Sequence, residues 1–428
     1  MQSAGPAHAG AFVPDAQVMV AGTPRYGWEH HRHEDALAEA APAHRAVLPN
    51  GLDVWVTTLG LDRTRTLLAN QRALVKDHAL LGGAMREQLE RKGLDANLSR
   101  IVGPGVLNSD EPDHRRVHRL IAPAFSAERI AALRPEIARL IDSLLDALPT
   151  DGPADLQASL ADALPLAVIA SVLGVPAEDA GRLRAWTTAM MTERPEVMIP
   201  ASEEMAGYLA GHIQDHEALP ADSVLRVLAT SRDADGRGLA FEELVANAIL
   251  LVVAGHDTTS ALLGNTMAAL LATPGAWGTL ARRPEAVPNA IEEAARWDAP
   301  VALTPHYLVR SPLDLGDGVV VPEGDIIMVG LGAAGRDRSV HGPEADAFQP
   351  FRHSDAAATN AARDHAAFGH GPHYCLGNLL ARLEATAALT AITARWPAAT
   401  LDVPPDTLPR SDKVVTNSLT ALPVTLAP

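Results

Sequence analysis

Apolar positions recur at helical spacing over most of the chain. Leu133, Ile137, Leu140, Ile141, Leu144 and Leu145 form one stripe, the three-to-four-residue recurrence that turns one face of a helix toward a core. The apolar run 156–175 ends on Gly174 with Pro176 behind it, a stop signal for a helix. Residues 132–220 therefore read as helical throughout. A longer helix opens near Phe241 and runs to about Leu271, and on it Leu251, Ala254, Gly255, Thr258 and Leu262 share a face. Small side chains interrupt a bulky stripe there, leaving room for something flat with a small ligand above it. After Cys375, Leu376, Leu379, Leu380 and Leu383 mark another helix. A polar helix covers 28–41, and a short one follows Leu61.

Alternation replaces this period in a few places. RAVLPNGLDVWVTT reads as a hairpin about Asn50-Gly51, a strong turn pair. Val301 to Leu303 and VVVPEGDIIMVG suggest strands with Pro322-Glu323-Gly324 as the turn, and 414–418 with LTALPVTL reads as a closing hairpin whose tip could touch a ligand. Residues 78–108 mix glycine, charge and scattered leucines without one period and are expected to form a loop. Residues 1–25 are rich in Pro, Gly and Ala and read as an N-terminal arm. Met190, Met191, Met198 and Met205 are either core gap-fillers or pocket lining.

Composition narrows the picture. In 428 residues the hydrophobic share is 47% and the aromatic share only 4%, with alanine and leucine abundant, which favours helices over a sheet sandwich. No linker or repeat divides the chain, so 1–428 is expected to be a single domain. A net charge of −17 argues against nucleic acid and an anionic membrane surface, since both need a broad basic face. The first Lys or Arg is Arg25, and the apolar stretch 244–255 is too short to cross a bilayer. A cytoplasmic protein with neither leader nor membrane anchor is expected. One cysteine excludes an internal disulfide and suits a reducing compartment.

That cysteine carries the candidate chemistry. In FGHGPHYCLGNLLARLE, Gly369 and Gly371 provide a tight loop and Cys375 stands just before a helix, where backbone N–H groups point outward and favour a metal-binding thiolate. A lone cysteine is more often a small buried hydrophobe. Its neighbours change the balance: Phe368 offers an aromatic face, Gly377 lets the helix approach a flat group, and His373 offers a donor. Zinc held by His365, His370, His373 and Cys375 is the competing reading, though structural zinc usually takes two separated ligand pairs.

The run Phe368, Gly369, Gly371, His373, Cys375, Gly377, Leu380, Ala381, Arg382, Glu384 resembles the haem-binding signature of the cytochrome P450 family in its soluble bacterial branch. The resemblance implies a mainly α fold with small β-sheets, a single-domain triangular architecture, and haem b (iron protoporphyrin IX) held by the Cys375 thiolate as metal ligand. Ala254, Gly255, His256, Asp257, Thr258 and Thr259 resemble the family's oxygen-binding helix. A mid-helix threonine can bond the carbonyl four residues back and open the ladder, and Asp257 with Thr258 suits a catalytic proton relay. Glu293, Arg296 and Arg352 resemble a Glu/Arg/Arg network locking the loop before the cysteine.

Asp110, Pro112, His114, Arg116, Arg119, Leu120 and Phe125 match a further family segment, in which His114 and the residue four positions on would reach a haem carboxylate. Here the chain departs from the pattern, having His118 where arginine is usual, and His306 where another arginine would serve a second carboxylate. Histidine lacks the bidentate fork and carries full charge only below its pKa, so cofactor retention is expected to depend on pH. The implied activity is insertion of one oxygen atom of O2 into a C–H bond, by hydroxylation or epoxidation, of a mostly apolar small molecule in secondary metabolism. Electrons would come from a ferredoxin or flavodoxin with its reductase, because no dinucleotide fingerprint is present, docking at Arg115, Arg116, Arg119 and Arg382 of a monomer. The alternatives are a peroxide-driven or non-oxygenating haem-thiolate enzyme, against which Asp257 and Thr258 speak, and a non-catalytic haem sensor.

Overall fold

The structure, a computed structural model, describes residues 17–20, 25–352 and 363–428. Its centre is one helix, Phe241–Ala272, which begins where Glu243 reaches back to accept a hydrogen bond from the Ala240 N–H (2.8 Å). Ala163–Leu173, Ala180–Met190, Pro195–Gln214, Val287–Trp297 and Asn378–Arg395 pack around it. By length and mean hydropathy, 1.3, this 32-residue helix would suffice to cross a membrane, but 67% of its most apolar window is buried inside the protein. Its apolar surface is thus taken up by neighbouring helices, as in the core of a large helical protein.

Helices and small sheets segregate. The largest sheet has five strands in the spatial order Ala43–Val47, Asp53–Thr57, Ile326–Met328, Tyr307–Val309 and Leu74–Val75, with only the second and third parallel. Its hairpin turns at Gly51, whose φ of +91° is open to glycine. Pro423–Leu426 pairs with both Thr400–Leu401 and Gly152–Asp155, so the chain end closes a second, three-stranded sheet that includes a strand inside the stretch expected to be wholly helical.

Three other expectations need correction. Residues 78–91 form a helix, His78–Arg91, in place of a loop: the Asp77 carboxylate accepts from the N–H groups of Ala79 and Leu80, and Leu81, Met85 and Leu89 are buried at four-residue spacing. Gly82 and Gly83, with Arg86 and Glu87 between the later apolar positions, hid that stripe. The arm expected over 1–25 lies largely outside the described residues, yet Gln17–Val20 is a short helix with Met19 buried against the hairpin cluster. The helix after the cysteine starts at Asn378 rather than directly behind Cys375, leaving Leu379 exposed while Leu380 and Leu383 enter the core.

Candidate active site

Between the long helix and the cysteine loop lies a cavity of about 380 Å³. Leu251, Ala254, Gly255, Thr258 and Leu262, the small-residue face read from the period, all line it. Thr258 Oγ1 donates to the Ala254 carbonyl (2.7 Å), yet the helix runs unbroken from Phe241 to Ala272, so that bond forms without opening the ladder. Asp257 departs from expectation more sharply. Its carboxylate is absent from the lining and is held by Lys413 and the Thr416 hydroxyl from the C-terminal loop.

Phe368, Gly369, His373, Cys375 and Gly377 line the opposite wall. Gly369 and Gly371 have φ of +75° and +73°, as the loop required, and the Cys375 N–H donates to the Phe368 carbonyl (3.0 Å), closing it. A Cβ on Gly377 would lie 3.9 Å from Cys375 Sγ, at the face the sulfur presents. Burial pushes the thiol up, against the Gly377 and Asn378 N–H groups and Arg382, which pull it down. The loop geometry by itself therefore does not make the thiolate that the helix-end argument expected; a cationic metal would supply the missing stabilisation.

Behind this loop two adjacent glutamates are fully matched. Arg296 forks onto Glu293 (Nε–Oε2 and Nη2–Oε1, each 2.7 Å) and also donates to the carbonyls of Gly335, Ala345 and Ala347. Arg352 Nε (3.3 Å) and the Gln349 N–H (2.9 Å) complete the glutamate's shell. The second glutamate, Glu292, was missed from sequence because an i, i+1 neighbour points to another side of the helix. It takes His365 Nε2 (3.0 Å) and Arg382, whose guanidinium also sits 4.1 Å over the Phe368 ring. Burial alone would raise this carboxyl, but His365 and Arg382 bring it down to about 2. Arg382 is thereby committed inside and is withdrawn from the expected docking face. Arg116 is likewise paired with Glu243, whereas Arg115 and Arg119 are exposed.

The imidazoles converge. His114 stacks edge-on against His373, 4.5 Å between centroids, and lies 5.6 Å from His118; these three, with His306, line the cavity. Lys76 also lines it and was not foreseen, because nothing in its local sequence distinguishes it from a surface lysine. It is buried, its ammonium 4.0 Å over Tyr307 and 3.2 Å from the His306 carbonyl, and its backbone N–H bonds Asp110. Desolvation brings Lys76 to about 7 and His306 to about 4, the latter with Lys76 adding repulsion. His306 Nε2 is buried without a partner.

A crowd of basic groups, of which Lys76, His114, His306 and His373 are depressed by burial, fits a flat apolar group bearing carboxylates and a thiolate-binding metal. The zinc alternative finds no such support: among the described residues the group whose ligand atoms all lie within 4.8 Å of one another is His30, His31 and Asp298, none of them an expected ligand, and His365 is committed to Glu292 (3.0 Å). Of the methionines, Met190, Met191 and Met198 line the cavity, while Met205 is core.

Fold, cavity and cysteine loop together define a haem-thiolate enzyme. The cytochrome P450 family model matches residues 285–422. Cytochrome P450 107B1 of Saccharopolyspora erythraea is 36% identical over 92% of this chain and 94% of that protein, and the cytochrome P450 monooxygenase PikC of Streptomyces venezuelae is 36% identical over 91% and 89%. The tirandamycin C-bound P450 monooxygenase TamI has a TM-score of 0.81 with 32% identity, covering 93% of this chain and 97% of its own. The chain belongs to the cytochrome P450 family and is a monooxygenase, and its cofactor is the family's haem-thiolate iron.

Proposed function

We propose that residues 1–428 work as one domain, a cytoplasmic, monomeric haem b monooxygenase that inserts one oxygen atom of O2 into a C–H bond of a mostly apolar small molecule of bacterial secondary metabolism. The observation that carries this reading is the facing of Cys375 and the Ala254–Thr258 turn across one apolar cavity. The haem, when bound, supplies the oxidation chemistry. Everything else is the work of the chain: Cys375 would hold the iron, Phe368 and Gly377 shape the wall beside it, and Gly369 turns the loop.

Lys76, His114, His118, His306 and His373 would hold the cofactor's carboxylates, which offset the cost of crowding these basic groups against one cavity. Leu251, Ala254 and Leu262 exclude water and orient substrate. Thr258 holds a proton-donating hydroxyl at the cavity, presently turned to the Ala254 carbonyl. For Asp257 to resupply that proton it must leave Lys413 and Thr416, so the relay requires a side-chain swing coupled to the C-terminal loop. Relatives such as mycinamicin IV hydroxylase/epoxidase of Micromonospora griseorubida (31% identical) support the hydroxylation or epoxidation class.

Electrons arrive from a ferredoxin or flavodoxin with its reductase, docking at the exposed Arg115 and Arg119; reversing both charges lowers electron-transfer rate and its salt dependence. The absorption spectrum of the reduced, carbon-monoxide-bound protein tests the reading as a whole. A thiolate-type band in the parent that is lost in Cys375→Ala supports it, and an unaltered band in that variant overturns it.

A further inference from the structure

The cavity's charges are unevenly distributed. Its basic side chains belong to the cofactor set, and among the described residues its lining carries only two carboxylates, Glu384 on the cysteine helix and Glu193. Glu193 sits in the turn between helices Ala180–Met190 and Pro195–Gln214, with a φ of +54° that residues bearing side chains rarely adopt. Asn50 Nδ2, at the tip of the hairpin, donates to Glu193 Oε2 (2.9 Å). Among the described residues it forms no ion pair, and the adjacent Arg194 is committed to Asp412 (2.7 Å). Burial pushes this carboxyl up to about 7, with Asn50 alone pulling it back.

An acid in an apolar chamber whose one partner is a neutral amide has an unmet preference for a cation. We propose that Glu193 is a substrate-recognition carboxylate, binding a protonated amine on an otherwise apolar substrate. The inference rests on the monooxygenase reading and deepens it by naming the substrate class. A hydroxyl would satisfy the carboxylate's hydrogen bonding but not its charge, and the Met190, Met191 and Met198 lining accommodates an apolar body of varied shape.

Calorimetric titration of the cofactor-loaded protein, at about pH 8 where the carboxyl is ionised, tests this with decyltrimethylammonium, a cation that cannot coordinate iron, against decanol. The parent is expected to bind the cation about tenfold more tightly than the alcohol, and Glu193→Gln to lose about that factor for the cation while decanol stays within about twofold. Asn50→Ala, which keeps the carboxylate and removes its amide, should retain the cation preference. Equal cation affinity in parent and Glu193→Gln, or equal loss for both probes, overturns the proposal. So does an Asn50→Ala variant that loses the preference, since that outcome assigns the pair to holding the turn against the hairpin. The carbon-monoxide spectrum on the same samples separates the two levels: a thiolate band without cation preference sinks only the Glu193 assignment, and a missing band sinks the oxygenase reading while the calorimetry still decides the subsite.

Discussion

The two ends of the cavity are built on opposite principles. Behind the cysteine loop, Glu292 and Glu293 are each surrounded by arginine, histidine or backbone donors, and Arg296 directs its remaining N–H groups to carbonyls. At the other end, methionines and a single carboxylate bonded to one amide close the space. A charge network with every partner in place has one good geometry, so it holds a cofactor loop in register. Thioether chains and a sparsely bonded acid have several, which suits a roof that must adapt to substrate. Position at the floor and choice at the roof are thus separated along one cavity.

The floor fails most completely at Cys375. Cys375→Ala is expected to abolish turnover and the thiolate-type spectrum while far-ultraviolet circular dichroism stays helical, because the side chain contributes little to the core. Next comes Glu293→Ala, which strands Arg296 and Arg352 in the interior; chemical denaturation should read a loss of roughly 3–5 kcal/mol together with loss of haem. A variant that unfolds like the parent would show that the floor is not held by this network. Thr258→Ala should leave stability within about 1 kcal/mol and reduce product per electron consumed by about a hundredfold, the low end of one general-acid contribution; unchanged coupling would remove the hydroxyl from the relay.

Lys76→Met separates holding the cofactor from holding the fold by moving two quantities in opposite directions. The cofactor-free protein should gain roughly 1 kcal/mol in thermal unfolding, since a buried cation is replaced by an apolar chain, while haem is released faster to a scavenging apoglobin. The last effect is on pH. His306 and His341 both sit at about 4, lowered first by burial, then by Lys76 for His306 and by Arg296 for His341, with Asp364 and Glu293 opposing and Arg352 adding for the latter. The unfolded chain takes up protons there that the folded one refuses, so cofactor-free stability is full above about pH 6.5 and declines as pH falls toward 4. Cofactor carboxylates raise His306 again, so haem affinity relative to the empty protein should strengthen over the same descent. An identical profile in His118→Arg, His306→Arg would remove those imidazoles from the linkage.

Much of this was legible in residue order. Helical period marked the long helix and its small face, the glycines announced the turn at Asn50-Gly51 and the cysteine loop, and Glu293, Arg296 and Arg352 met as anticipated. What escaped did so for identifiable reasons: the His78–Arg91 helix because two glycines and surface charge blurred its stripe, and Lys76 and Glu193 because burial of an ordinary ionisable residue has no local signature. Local order decides which way a side chain points from its own helix or loop, since dihedral geometry acts over a few residues. That is why the placement of Cys375, Thr258 and the glycines along one cavity could be read directly. Which distant group meets it is set by packing across the chain, and only the folded molecule turned Asp257 to Lys413, gave Arg382 to Glu292 and left Glu193 with a neutral partner, because desolvation and ion pairing depend on neighbours far apart in sequence.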